Sequence, residues 1–127
     1  MTPLKQMARI LDFESFLQCF FGLNSEDLKI YYAIANGCER IEEISRLVGK
    51  KGNAVYKSLQ RLLISGLVYR EKKVIDRGGY YFIYKATPRE IVATEVEVVL
   101  RELCEKVRIL MRDFLNKSSE VQELRLC

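Results

Sequence analysis

Side chains able to do chemistry are unevenly spread through this sequence. Histidine is absent from all 127 residues, and the four cysteines, Cys19, Cys38, Cys104 and Cys127, are separated by 18, 65 and 22 residues. At such spacing, and without an imidazole, a Cys/His metal site has no ligand set. The same lack removes the usual general base and the Ser/His and Cys/His nucleophile pairs. No paired-carboxylate site or phosphate-cradling glycine loop stands out either, so an enzyme is the weaker class and neither metal nor cofactor is expected. The cysteines read as small buried or half-buried apolar residues plus a terminal one. A redox switch is the alternative, with Cys104 its best candidate.

The cations carry a stronger signal. Between Arg46 and Arg89 eleven basic residues face only two acids, Glu71 and Asp76, a local net charge of +9 that leaves the rest of the chain at −5 within an overall +4. Lysine and arginine gathered on one stretch act on polyphosphates by releasing condensed counterions, which makes duplex DNA the expected partner. Asn53, Tyr56, Lys57, Gln60 and Arg61 recur at helical spacing opposite Val55, Leu59, Leu62 and Leu63, so they occupy the outer face or edges of one helix. Asn53, Tyr56 and Lys57, near its start, suit base edges, since Asn pairs with adenine and Lys with guanine; Arg61 suits a phosphate. Lys50 and Lys51 precede the same helix, where backbone N–H groups add to their charge. Lys72, Lys73 and Arg77 suit flanking backbone or minor groove.

These residues need elements to position them. Phe13, Phe16, Leu17, Phe20 and Phe21 predict a helix over 12–21, closed by Gly22. Asn24 or Ser25 caps a second over 25–35, with Leu28, Tyr31, Tyr32, Ile34 and Ala35 on its apolar side. Ile41, Ile44, Leu47 and Val48 form the stripe of a third over 40–48. Residues 49–52 then separate it from the basic helix, predicted from Asn53 to the residue before Gly66; two short helices about a glycine-containing turn make a helix-turn-helix. Leu67–Tyr69 and Tyr80–Tyr84 change to a β pattern around Asp76-Arg77-Gly78-Gly79, a hairpin with a basic tip. Its aromatics, Tyr69, Tyr80, Tyr81, Phe82 and Tyr84, are expected in the core rather than as a stacking platform for single strands.

Thr87-Pro88-Arg89-Glu90 predicts a capping box with Thr87 as N-cap and Pro88 as first helical residue. From there neither Gly nor Pro interrupts the chain to Asn116. Val92, Val96, Val99, Leu103, Val107, Leu110 and Phe114 advance by threes and fours along one side. Roughly 28 residues give a rod of about 42 Å, longer than so small a domain covers with its own core, so a second copy is expected on the stripe. The fold class is mainly α with a small β-hairpin: a single domain over 1–127, with a winged helix-turn-helix core at 12–87, a long dimerisation helix at 88–116 and a tail at 117–127.

Leu23-Asn24-Ser25-Glu26-Asp27 leading to Tyr31-Tyr32-Ala33-Ile34 carries a resemblance, together with Ala54 to Leu62 followed by Ser65-Gly66-Leu67-Val68, and Gly78 to Pro88. Over about Phe20 to Phe114 the chain resembles archaeal winged-helix regulators of the TrmB type and related small regulators with an antiparallel helical dimer interface. The resemblance implies a dimeric repressor or activator that binds promoter DNA in two successive major grooves, wings over the flanks. Larger sugar-responsive members carry a further C-terminal ligand-binding domain; none is expected after the long helix here, so no small-molecule effector is inferred. The basic, glycine-rich Lys50-Lys51-Gly52 also replaces the usual Ser or Thr start of a recognition helix, which favours phosphate over base contacts there.

With no apolar run long enough to span a bilayer and no signal-peptide pattern at Met1–Ile10, the chain is expected in the cytoplasm, on the nucleoid, with no membrane partner. Architectural chromatin binding without sequence preference, or a protein-interaction module built on the same shape, are the alternatives.

Overall fold

The local chemistry around Asn24 shows how this chain starts its helices. In a computed structural model describing residues 4–117, the Asn24 side chain accepts from the Asp27 N–H at 2.8 Å while Asp27 accepts from the Asn24 N–H at 3.1 Å. This reciprocal capping box satisfies two otherwise orphaned donors and starts α3, Ser25–Ala35. Before it lie α1, Leu4–Ile10, and α2, Phe13–Phe21, the latter capped by Asp12 on the Ser15 N–H. After it come α4, Ile41–Val48, and α5, Gly52–Ser65, then β1, Val68–Val74, and β2, Tyr80–Ala86, and finally α6, Arg89–Asn116.

Leu28, Ile30, Ala33 and Ile34 of α3, Ile44 of α4, Val55, Leu59 and Leu62 of α5, and Leu67, Val68, Ile83 and Tyr84 at the base of the hairpin are all buried. Side chains of this size gain roughly 1.5–3 kcal/mol each on leaving water, and this shared core holds the three helices and the hairpin together. The strands pair antiparallel from Val68↔Ala86 to Val74↔Tyr80. The free edge of β2 is engaged too, since the Tyr84 N–H donates to the Glu39 carbonyl at 2.8 Å.

Several expectations are corrected. α1 has no counterpart among the helices that the sequence pattern predicts. On α3 the buried face includes Ile30 and Ala33, and Tyr32 and Ala35 are exposed, because the face that packs inward is centred on Asp27, which Arg61 of α5 holds, and Ile34. Leu47 of α4 is 65% exposed rather than part of the buried stripe. Ser58 joins the inner face of α5, with Leu63 only half-buried. Of the hairpin aromatics only Tyr84 is buried; Tyr81 and Phe82 are half-buried, Tyr80 is exposed near the tip, and Tyr69 is exposed because strand alternation turns it away from buried Val68.

Thr87 is not the cap of α6 either. Its hydroxyl donates to the Gly66 carbonyl at 2.6 Å and its N–H donates to the Leu67 carbonyl at 2.9 Å, so both groups are committed to the end of α5. Pro88 is the N-cap residue, without a side-chain cap, and its carbonyl accepts from the Ile91 and Val92 N–H groups. The described residues form two compact units that divide between Thr87 and Pro88. α6 is the body of the second unit, and none of its residues is buried. The tail from residue 118, with Cys127, lies outside the described residues.

Candidate nucleic-acid interface

The turn between α4 and α5 is built to change direction quickly. Gly49 takes φ 70°, a left-handed conformation that costs glycine little, and its N–H closes α4 on the Ser45 carbonyl. The Ser45 hydroxyl then donates to the Lys50 carbonyl, fixing the residues that lead into α5. At its start α5 has Lys51 as N-cap residue with no side-chain cap, so its first N–H groups face outward beside two lysines, a natural anion position. Lys51 has no ion-pair partner among the described residues. Lys50 lies 3.8 Å from Glu26, whose carboxylate is held more closely by Lys29 at 3.3 Å.

Along α5 the exposed residues Asn53, Tyr56 and Lys57, with half-buried Gln60, lie on the side away from buried Val55, Ser58, Leu59 and Leu62. Neither Asn53 nor Lys57 makes a side-chain hydrogen bond or ion pair with another described residue. The structure therefore brings these four expected residues onto one accessible helix face with their polar groups unspent.

Arg61 belongs to a different structure. Its Nε and Nη2 donate to the two carboxylate oxygens of Asp27, each at 2.8 Å, and Nη2 reaches the Ser58 hydroxyl at 3.4 Å. The Asp27 side chain is 0% exposed and that of Arg61 44%. Burial pushes the Asp27 carboxyl up, but the donors from Arg61, Ser58 and the Asn24 N–H outweigh it and hold the carboxyl below its ordinary value of 3.8. The same contact raises the Arg61 guanidinium further. Arg61, expected as a phosphate ligand, ties α5 to α3 through Asp27 with its side chain 44% exposed. The Asn24-x-x-Asp27 pattern hints at an inward-turned Asp27, but nothing local in sequence points to a partner 34 residues away.

The wing candidates separate onto two faces. Strand alternation and the observed register put Arg70, Lys72 and Val74 on one side with Tyr80, Phe82 and Tyr84, and Glu71 and Lys73 on the other with Tyr81, Ile83 and Lys85. On the second side Glu71 is paired with Lys73 at 3.5 Å and Lys85 at 3.6 Å, and Arg40 lies over the Tyr81 ring at 4.3 Å. On the first, Arg70 lies over Phe82 and Lys72 over Tyr80, each at 4.2 Å, and the two rings meet edge to face at 5.6 Å. Arg77 is exposed in the connecting loop. Arg70 was not singled out from the sequence, although its place two residues before Lys72 in an alternating strand is the signal that finds it.

Of the expected dimerisation residues on α6, Val92 and Val96 are half-buried, and Val99, Leu103, Val107, Leu110 and Phe114 are 45–55% exposed. Cys19 and Cys104 are exposed rather than buried, and Cys38 is half-buried. No helix among the described residues is long and apolar enough to cross a membrane.

With this arrangement in view, the comparison with known families is direct. The model of the family described as sugar-specific transcriptional regulator TrmB matches residues 17–90, from α2 through the wing to the start of α6. The chain belongs to the TrmB family. Two uncharacterized proteins of Methanocaldococcus jannaschii are similar to this TrmB-family chain. One is 31% identical over 106 residues, covering 83% of the chain and 80% of the relative, and the other is 30% identical over 96 residues, covering 75% and 79%. Among solved structures, a possible transcriptional regulator from Methanosarcina mazei Go1 superposes with a TM-score of 0.67 at 18% identity, covering 80% of the chain and 87% of that protein. At that identity the likeness speaks to fold, and the fold is the winged helix of transcriptional regulators. Family and fold are thus those of regulators rather than enzymes.

Proposed function

We propose that this TrmB-family chain binds double-stranded DNA as a homodimer and regulates transcription from preferred sites. α5 enters the major groove, with Asn53, Tyr56, Lys57 and Gln60 toward base edges, while Lys50 and Lys51 hold a phosphate with the uncapped α5 N-terminus. The observation that carries this reading is the accessible α5 face, whose polar groups have no partner within the described residues, next to a helix start that lacks a side-chain cap. Lys72 and Arg77 belong to the wing, over flanking backbone or minor groove.

In this reading residues 12–87 are the reading head and 88–116 the dimerisation helix of one domain. Val92, Val96, Val99, Leu103, Val107, Leu110 and Phe114 meet their equivalents in a second copy, because a self-complementary patch is the simplest cover for an apolar row of this length. Two recognition helices then address half-sites about 34 Å apart, one helical turn, so the preferred site is palindromic. The protein works in the cytoplasm, on the nucleoid.

Fluorescence anisotropy with labelled duplexes across a KCl series tests the binding: affinity is expected to fall steeply as salt rises. Absence of binding at low salt, or affinity indifferent to salt, contradicts it. Protection footprinting on genomic DNA then shows discrete sites for a regulator, whereas uniform coverage identifies an architectural protein.

A further inference from the structure

The wing carries five cations between Arg70 and Lys85, and the structure divides them by chemistry rather than by position in sequence. On the Glu71 side, Lys73 and Lys85 both lie within 3.6 Å of the Glu71 carboxylate, so two of the cations there share one internal anion. On the other side, Arg70 and Lys72 have no acidic partner among the described residues. Their charges are instead held over aromatic faces, Arg70 over Phe82 and Lys72 over Tyr80. A ring holds a cation in place without neutralising it, so the ordering cost of the long side chain is partly met before any ligand arrives. Arg70 and Lys72 are two residues apart on one strand face, roughly 6.8 Å at 3.4 Å per residue, which makes a row of two fixed charges along the wing.

From this we infer that the wing meets the sugar-phosphate backbone of duplex DNA with its Arg70–Lys72 face, Tyr80 and Phe82 acting as positioning residues, and that Lys73 is a structural partner of Glu71 rather than a DNA contact. The inference rests on the duplex-binding reading above and refines it. Arg70 joins the interface, Lys73 leaves it, and the wing's contribution is one of charge placement, tolerant of base sequence.

The test uses the full chain and a fluorescein-labelled mixed-sequence duplex spanning three helical turns, titrated by anisotropy from about 50 to about 200 mM KCl. Each cation that releases counterions contributes about 0.9 to the slope of log affinity against log salt. The double substitution Arg70→Gln with Lys72→Gln, which removes the charge and keeps a flexible polar side chain, is expected to reduce that slope by about 1.8. Lys73→Gln is expected to leave it unchanged. Tyr80→Leu keeps every charge but frees the Lys72 ammonium, so affinity falls while the slope stays at the wild-type value, a split that simple damage to the wing does not produce. Matching far-UV circular dichroism and melting curves certify that the variants fold.

An unchanged slope in the double variant, or an equal loss in Lys73→Gln, overturns the assignment of the wing face while leaving the duplex-binding reading standing. Failure of the wild-type chain to bind the duplex overturns both. Tighter binding of the corresponding single strand, lost in Tyr80→Leu, also overturns the inference, because the rings are then stacking on bases.

Discussion

Replacing Arg61 by alanine separates two roles that one guanidinium on a basic helix can play. Bound to Asp27 by two 2.8 Å hydrogen bonds, it is the main compensation for a carboxylate that water does not reach. Removing one partner of a buried ion pair costs about 3–5 kcal/mol, because the other charge stays buried and unpaired. The pair here is only half sealed: Arg61 is 44% exposed, and Asp27 keeps the Asn24 N–H at 3.1 Å. Solvent screening and the surviving donor reduce the expected loss to about 2–3 kcal/mol. For a domain of this size that lowers the melting temperature by roughly 10–20 °C. Differential scanning calorimetry of Arg61→Ala, Asp27→Asn and the double variant measures it, with a coupling between the two sites of at least about 1 kcal/mol expected in the cycle. A phosphate ligand behaves in the opposite way, leaving melting unchanged and lowering the salt slope of DNA binding by about 0.9. Melting of Arg61→Ala within about 2 °C of wild type, well under the shift that 1 kcal/mol produces, would refute the structural role.

Other outcomes follow from the same geometry. The Asp27 carboxyl is held below 3.8, so its ion form stabilises the fold above that pH and the contribution is lost as pH falls through the folded value; the stability gap between wild type and Asp27→Asn should be constant near neutrality and close in acid, as urea unfolding at stepped pH measures. Asn24→Ala removes the cap of α3 and should cost about 1 kcal/mol in the same assay. Lys50→Ala with Lys57→Ala should lower the salt slope of duplex binding by about 1.8 without lowering the melting temperature by more than a few degrees, the two being exposed and outside the core. Leu103→Glu, in the middle of the α6 row, should convert a dimer to a monomer in sedimentation velocity; an unchanged sedimentation coefficient denies α6 its role in pairing.

What the sequence made legible was whatever depends on near neighbours. The period of Val55, Leu59 and Leu62 locates the inner face of α5 and so the outward side of Asn53 and Lys57; Asn24-Ser25 marks the start of α3, and the uninterrupted run to Asn116 marks α6. The misjudged residues have partners that lie far along the chain. Arg61 looked free because Asp27 is 34 residues distant, and Thr87 looked like a cap because its acceptor is the carbonyl of Gly66. On the wing the limit was of another kind. Counting charge over a stretch treats Lys72 and Lys73 alike, whereas the pleat sends adjacent residues to opposite faces, one toward Tyr80 and the other toward Glu71. A local excess of cations therefore says that a segment is basic, but which of its charges remain available to a polyanion is settled by strand register and by the placement of a few acids. In this chain two carboxylates among seventeen acidic residues, Glu71 beside Lys73 and Lys85 and Asp27 holding Arg61, are the ones that meet these basic side chains.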